Sequence, residues 1–445
     1  MKIIIGGSGR LGSYLADYFV RELQDVYLID KEAERLRHLE ADVNMRTFEG
    51  SISDFDTLRE AGASDADVFV AVTGSEEVNL IGCAMAKSLG ARRTIARVDS
   101  NCFIDKKNLS VLSSMGVDHV VYPDYLAATR IYDTIENPWT TGIKRLYSND
   151  IILAAVRVTE HAPLAGLQLR DAFGGDRNIH ISAMSRRGET IIPGGLDTIN
   201  EGDVLYATMA GENVSTLLDA TGHTYENKGG EVIIVGGSRV AEILAENAKG
   251  KFRITIVEKN IERCRKLIRT CPGATIIYGD AAEEDVMAEA GIDRCQAVIW
   301  LTENTESNIL GSLGDAEAGV PLTIAEVEKA RLMPKAEDFG IDAVINKPVI
   351  TAHAIFQLVL EADNEDDRIF VVPGAEVVRM EVRPGSRLTG KAIMDLGLPT
   401  GVTFAARRNS GHGELVTGRT VLSEGDNITV FCLRGSLNKV KKLFK

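Results

Sequence analysis

The sequence predicts an α/β protein with two doubly wound parallel-sheet domains, each followed by a small mixed α/β domain. Three observations predict this fold class. Most of the 445-residue chain is an internal duplication, short apolar runs alternate with helical segments, and a glycine-rich turn separates the first apolar run from the first helix. Together these features are typical of parallel sheets that carry helices on both faces.

The duplication consists of matching segments at a nearly constant spacing. The apolar run and glycines around Gly7 recur around Gly236, and Asn79 recurs at the same spacing as Asn308. Self-similarity over such a length indicates two copies of one unit. The spacing shortens slightly toward the carboxyl terminus, which indicates a short loop deletion in the second copy.

Each copy divides into a larger and a smaller module, which we name N1, C1, N2 and C2 in chain order. A mixed polar stretch from Asn137 to Asp150 separates N1 from C1. The predicted boundaries are 1–136 for N1, 147–220 for C1, 231–362 for N2 and 368–445 for C2.

N1 and N2 contain apolar runs of strand length between helical segments, as buried parallel strands do. A helix over residues 11–23 follows the first run. C1 and C2 contain short alternating strands between turns, which predicts small mixed α/β modules. The runs in N1 are Lys2–Ile5, Val26–Ile29, Arg46–Phe48, Val68–Val72, Thr94–Val98 and His119–Val121. Those in N2 are Val232–Val235, Ile254–Val257, Thr275–Tyr278, Ala297–Leu301 and Leu322–Val327.

Composition and charge exclude several classes of protein. The formal net charge of −14 repels a phosphate backbone and argues against nucleic-acid binding. The apolar runs are far shorter than the roughly 20 residues that cross a bilayer, and we recognise no secretory signal. The six cysteines are scattered without a metal-binding spacing, so neither zinc nor a disulfide framework is indicated. We therefore expect a cytoplasmic protein with free thiols and no bound metal.

The strongest chemical motif is the glycine-rich turn from Gly7 to Gly12, which fits the pattern GxGxxG between a strand and a helix. In a Rossmann-like domain the first glycine permits the tight turn and the second lets backbone amides approach a pyrophosphate. The third lets helix and strand pack closely. Asp30 follows roughly 20 residues later at the end of the second strand, where an acid accepts hydrogen bonds from ribose hydroxyls. This pattern favours NAD or an adenosine ligand, and a glycine turn kept only for packing is the alternative.

Further candidates follow other strands of N1, because ligands of open α/β sheets bind at the carboxyl ends of the strands. Thr73 and Gly74 follow the fourth strand. Arg97 ends the fifth, where it offers a fork of donors to a phosphate or forms a surface ion pair. The candidate nucleotide-binding residues of N1 are Gly7, Ser8, Gly9, Arg10, Leu11, Asp30, Ser51, Thr73, Gly74 and Arg97.

The second copy has a weaker version of this site. Ser238 stands at the position of Gly9, and Glu326 stands at the position of Arg97. A side chain at the second glycine obstructs a pyrophosphate, and an acid in place of Arg97 repels it. We therefore predict that N1 binds the nucleotide more tightly. The candidate residues of N2 are Gly237, Ser238, Glu258 and Thr302.

The chain resembles the regulator-of-potassium-conductance proteins, specifically the Trk-type potassium-uptake regulatory subunits. The features that carry the resemblance are the glycine-rich turn, the Thr94–Val98 segment, the turns of the C modules and the tandem order of the four modules. The resemblance covers essentially the whole chain. It implies a cytoplasmic protein, peripheral at the inner face of the cell membrane, that binds NAD(H) or ATP/ADP to gate ion flux. It also implies a homo-oligomer ring beneath a membrane potassium translocation subunit.

Two other functions stay open. An NAD-dependent oxidoreductase would need a proton donor beside the nicotinamide, and the sequence offers none that we recognise. The spacing of Tyr27 and Lys31 matches a dehydrogenase pair, but these residues straddle a strand end and cannot converge as they would on a helix. We therefore expect no enzymatic activity. A nucleotide-binding scaffold without a transport role is the third possibility.

Apolar helix faces follow the last strands of both N modules, around residues 125–132 and 350–360. We predict that these segments form crossover and dimer-forming helices. Simple packing in the core of each module is the alternative.

Overall fold

The chain forms two compact units in the computed structural model. One contains Met1–Ile135 with Lys228–Ala362, and the other contains Glu136–Asn227 with Asp363–Lys445. The first therefore holds both N modules and the second holds both C modules. The structure describes residues 1–21, 24–37, 39, 45–140, 142–147, 150–173, 178–186, 189–223, 230–329, 332–361, 367–372, 374–409, 411–433 and 435–444.

N1 is a six-stranded parallel sheet in the order β3-β2-β1-β4-β5-β6. The isoleucines of the first strand are fully buried, because helices cover both faces of the sheet. The predicted helix over 11–23 begins one residue earlier, and residues 22 and 23 lie outside the described residues. The elements are β1 (Lys2–Gly6), α1 (Arg10–Arg21), β2 (Asp25–Asp30), α2 (Ala33–Arg37), β3 (Met45–Glu49), α3 (Phe55–Glu60), β4 (Val68–Ala71), α4 (Glu76–Leu89), β5 (Arg93–Arg97), α5 (Lys106–Ser114), β6 (His119–Val121) and α6 (Pro123–Glu136).

C1 is a five-stranded sheet in the order β10-β9-β11-β8-β7 with one helix. Its strand pairs are antiparallel. The first strand lies inside the stretch 137–150 that the sequence suggests as a separator, and it pairs along its length with the second. The elements are β7 (Gly142–Leu146), β8 (Ile151–Arg157), β9 (Ile179–Arg186), β10 (Glu189–Ile191), β11 (Val204–Ala210) and α7 (Val214–Thr221).

N2 repeats the topology of N1, with its parallel strands in the order β14-β13-β12-β15-β16-β17. Its last strand is only three residues long and is not among the strands predicted from the sequence. The elements are β12 (Glu231–Val235), α8 (Arg239–Asn247), β13 (Arg253–Glu258), α9 (Ile261–Thr270), β14 (Thr275–Tyr278), α10 (Glu284–Ala290), β15 (Ala297–Trp300), α11 (Thr305–Glu317), β16 (Thr323–Glu326), α12 (Met333–Asp338), β17 (Ala343–Ile345) and α13 (Lys347–Glu361).

C2 repeats C1, with antiparallel strands in the order β18-β19-β22-β20-β21. One ion pair recurs in both copies. Arg186 binds Asp203 at 2.7 Å in C1, and Arg407 binds Asp426 at 3.1 Å in C2. The elements are β18 (Asp367–Val372), β19 (Ala375–Glu381), β20 (Val402–Asn409), β21 (His412–Leu415), β22 (Asn427–Leu433) and α14 (Leu437–Phe444).

The last helix of each N module packs on the other N module. On α13 of N2, the ring of Phe356 lies 4.5 Å from Tyr18 and 5.8 Å from Phe19 of N1, measured between centroids. On α6 of N1, the ring of Tyr132 lies 6.2 Å from Phe252 of N2. The two helices therefore cross over between the copies, as the sequence predicts, and N1 and N2 form one paired body.

We expect the C modules to lose stability in mild acid because of His180 on β9. Burial lowers the pKa of His180 to about 4, from an ordinary value of 6.5. The folded state resists protonation more than the unfolded state does. The contribution of neutral His180 to stability is therefore fully present above pH 6.5 and is lost as the pH falls toward 4. The loss is at most about 3 kcal/mol.

Denaturant titrations of wild type and His180→Gln between pH 7 and pH 4 test this expectation. The variant should lose less stability than wild type over that range. His161→Asn, which changes an exposed imidazole, is the control. Parallel pH profiles for wild type and His180→Gln would contradict the assignment.

Candidate functional site

A cleft of about 800 Å³ lies at the carboxyl ends of the N1 strands, within the size range of nucleotide sites. Nine of the ten N1 candidates line it, and the tenth, Ser8, contacts the lining residue Asp30. The residues lining it are Gly7, Gly9, Arg10, Leu11, Ile29, Asp30, Lys31, Glu32, Arg35, Gly50, Ser51, Ile52, Val72, Thr73, Gly74, Ser75, Val78, Arg97, Asp99, Pro123, Asp124, Glu326, Glu328, Lys347, Pro348 and Thr351.

The three glycines of the fingerprint have different surroundings. Gly7 has a φ of +105°, and a Cβ there would also lie 3.0 Å from the backbone of Thr73. A Cβ at Gly12 would lie 1.7 Å from the carbonyl oxygen of Gly7. A Cβ at Gly9 would meet nothing within 4 Å. The first and third glycines are therefore required by the fold, whereas the second faces open space in the cleft.

Asp30 ends β2 beside this turn. Its Oδ2 accepts hydrogen bonds from the backbone N–H and the hydroxyl of Ser8, the latter at 2.7 Å, and its Oδ1 accepts from the backbone N–H of Glu32 at 2.9 Å. Burial opposes ionisation, but these hydrogen bonds and the charge of Arg35 together lower the pKa of Asp30. The carboxylate is therefore fixed and ionised at neutral pH, which suits an acceptor for ribose hydroxyls.

The ends of β4 and β5 are held together by Asn79, which is almost fully buried on α4. Its Oδ1 accepts from the hydroxyl of Thr73 at 2.7 Å, and its amide donates to the carbonyl of Arg97 at 2.9 Å. In N2, Asn308 donates to the carbonyl of Glu326 at the same distance and accepts from Thr302. The recurring asparagine therefore has a structural role in both copies.

Two other candidates form local contacts at the edge of the cleft. Arg97 makes an ion pair with Asp99 at 3.1 Å, and about 29% of its side chain is exposed. Ser51 shares a hydrogen bond of 2.8 Å with Ser53. Arg97 thus forms an ion pair, the alternative predicted beside phosphate binding, and an anionic ligand would have to compete with Asp99 for its guanidinium.

One wall of the cleft belongs to N2, which is not predicted from the sequence. The N2 residues that line it include Glu326, Glu328 and Lys347. They reach the cleft because α13, the N2 helix that packs on N1, begins beside the N1 turn. No local sequence signal points to these residues, since the pairing of the two copies places them there. Asp124, which follows the last N1 strand, was also missed and could have been found by applying the strand-end rule to β6.

In N2, Glu258 and Gly237 repeat the backbone contacts that Asp30 and Ser8 make in N1. Glu258 is almost fully buried and accepts hydrogen bonds from the backbone N–H groups of Gly237 and Asn260, each at 2.7 Å. Leu267 lies so close that a Cβ at Gly237 would approach its Cδ1 to 2.6 Å. Ser238 caps α8 by accepting from the N–H of Ala241. The candidate residues of N2 are thus engaged in internal contacts.

Ion pairs further constrain this region of N2. Glu242 at the start of α8 pairs with Arg239 and, at 2.6 Å, with Lys266 of α9. Arg263 of α9 pairs with Glu303, which occupies the position of Gly74. These contacts join α9 to α8 and to the loop after β15.

The described part of the chain contains no group of three or more histidine, cysteine, aspartate or glutamate side chains placed to hold a metal ion. None of its helices combines the length and the apolar composition that crossing a bilayer requires.

Comparison with known proteins gives matches over both copies. Residues 3–123 and 232–347 match the TrkA-N domain, which covers more than half of the chain. Residues 153–222 and 377–445 match the TrkA-C domain.

Similar proteins align over their whole length. The "Trk system potassium uptake protein TrkA" of Halomonas elongata is 28% identical, covering 100% of this chain and 99% of the relative. The homologue of Archaeoglobus fulgidus is also 28% identical, with 100% of both chains covered. The structure "GsuK channel bound to NAD" has a TM-score of 0.64 and 18% identity, covering 100% of this chain and 78% of that one.

The open space above Gly9 gives a test of the cleft. We expect Gly9→Ala to weaken nucleotide binding about tenfold or more, because the methyl group occupies the path of the phosphate toward the backbone. Calorimetric titration with NADH and ADP measures the change. Thermal unfolding should be unaltered, because a Cβ there contacts nothing.

Gly314→Ala is the matched control, since its Cβ also meets nothing within 4 Å but lies on α11, away from the cleft. This variant should bind as wild type does. Unchanged affinity in Gly9→Ala would show that the ligand does not approach the turn.

Proposed function

Because this chain belongs to the protein family built from TrkA-N and TrkA-C domains, we propose that it is a nucleotide-sensing regulatory subunit of a membrane potassium uptake system. The observation that carries the proposal is the N1 cleft, in which an open glycine turn, a fixed carboxylate and a guanidinium converge. The relatives over the whole chain are named potassium uptake proteins, which supports the role in transport.

The ligand of N1 is NAD(H) or an adenine nucleotide, ATP or ADP. Its pyrophosphate approaches Gly9 at the amino end of α1, where free N–H groups favour an anion. Asp30 accepts hydrogen bonds from the ribose hydroxyls, and Arg97 donates to a phosphate. The cleft volume of about 800 Å³ accommodates a ligand of this class.

N2 serves chiefly as a structural partner for N1. At its strand ends Ser238 stands in place of Gly9 and Glu326 in place of Arg97, so a side chain obstructs the pyrophosphate and an acid replaces the cation. Leu267 also packs against Gly237. N1 is therefore the tight site.

The nucleotide acts as an effector and not as a redox cosubstrate. The described residues that line the cleft include no histidine, the residue that most often transfers protons in enzymes. A hydride-transfer enzyme needs a positioned proton donor beside its substrate. The oxidoreductase alternative lacks this support.

The partner is a membrane potassium translocation subunit, and the protein forms a homo-oligomer ring at the inner face of the membrane. Affinity purification from detergent-solubilised membranes separates this role from that of a scaffold without a transport function. Recovery of a potassium transporter that spans the membrane supports the proposal, whereas its absence under conditions that preserve the oligomer favours the scaffold.

Substitutions in the two copies should have unequal effects on binding. We expect Asp30→Ala or Arg97→Glu to weaken the tight phase of a titration with NADH or ADP about tenfold to a hundredfold, the effect of losing a charge-assisted contact. Glu258→Ala is the matched change in N2 and should leave the tight phase nearly intact. The reverse pattern would move the primary site to N2.

We also expect nucleotide binding to change the conformation of the assembly, since an effector acts through unequal affinity for two states. Small-angle scattering of wild type should differ between the nucleotide-free and nucleotide-saturated protein. Asp30→Ala should give one profile under both conditions. Identical wild-type profiles at saturation would argue against the effector role.

A further inference from the structure

N2 contributes a partly buried cation, Lys347, to the wall of the N1 cleft. Its Nζ lies 3.3 Å from a carboxylate oxygen of Asp124 in N1 and 3.0 Å from one of Glu326 in N2. About 31% of the Lys347 side chain is exposed, compared with 8% for Glu326. All three residues line the same cleft as the glycine turn.

The other ion pairs of the cleft differ from this cluster in burial or in the modules that they join. Arg10 of N1 pairs with Glu328 of N2, but their side chains are 68% and 46% exposed, so this pair contributes little. Arg97 pairs with Asp99 inside N1. Among the ion pairs described for the cleft, Lys347 is the cation that carboxylates of both modules share.

The Lys347 cluster has an excess of negative charge when both acids are ionised, because one ammonium serves two carboxylates. Burial raises the pKa of Glu326, which reflects the cost of keeping that charge away from water. A phosphate group that enters the cleft competes with both carboxylates for the same ammonium. Such competition is strong where the local dielectric constant is low.

We propose that Lys347 is a ligand-binding residue that N2 supplies to the N1 site. Its ammonium moves from Asp124 and Glu326 to a phosphate of the nucleotide. This inference rests on the proposed function of the N1 cleft. Because Lys347 begins the helix α13, which packs on α1, the exchange links ligand binding to the contact between the two N modules.

Lys347→Gln tests the contact directly. The variant should bind NADH and ADP about tenfold more weakly or worse, since one charge-assisted contact is lost. Lys329→Gln is the matched control, because Lys329 pairs with Glu306 inside N2 and does not line this cleft. The control should bind as wild type does.

Glu326→Gln, made alone and together with Lys347→Gln, separates ligand binding from a merely structural role. The single variant loses an acid that repels phosphate and also frees the ammonium, so affinity should rise about threefold or more. The rise should be smaller in the Lys347→Gln background, where there is no ammonium to free, and an equal rise in both backgrounds would overturn the role of Lys347. Should Lys347→Gln fail to fold, as judged by thermal unfolding, Lys347→Met, which keeps most of the side-chain length without the charge, replaces it in both measurements.

The failure of this inference is distinct from the failure of the proposed function. If Lys347→Gln binds the nucleotide as tightly as wild type does, or if Glu326→Gln binds it more weakly, the role of Lys347 is overturned and the N1 site stays in place. If wild type binds neither NADH nor ADP, the proposed function itself is wrong and the inference falls with it.

Discussion

The packing of each last N-module helix on the other copy is the constraint on which the site depends. The rings of Phe356, Tyr18 and Phe19 fix α13 of N2 against α1 of N1, and α6 makes the reciprocal contact. Aromatic clusters of this kind bury much apolar area and hold specific geometry. As a result, the strand ends of N2 form a wall of the N1 cleft, and the site belongs to the paired body.

The two copies share the backbone of the strand-end site and differ in a few of its side chains. Both keep the first glycine of the turn with a positive φ and the asparagine that joins two strand ends. In both, the acid that ends the second strand accepts the same two backbone hydrogen bonds, as Asp30 in N1 and as Glu258 in N2. They differ where Ser238 replaces Gly9 and Glu326 replaces Arg97.

Charge in the N1 cleft is arranged as pairs that a ligand can replace. Arg10, Arg97 and Lys347 each contact a carboxylate, so the cleft holds cations without a large net charge of its own. Under the proposed function, binding strength depends on the difference between two sets of ion pairs, which single substitutions can shift in either direction.

The sequence by itself determined the fold class, the duplication and the local half of the site. The strand runs, the glycine turn and Asp30 could be read from it because their contacts lie within one βαβ unit, where spacing along the chain fixes spacing in the fold. The short strands β7 and β17 were missed because their pairing is set by neighbouring strands. Only the tertiary structure brought Lys347 and Glu326 to the N1 cleft and Leu267 against Gly237 of N2, since packing between distant segments leaves no periodic signal in the sequence.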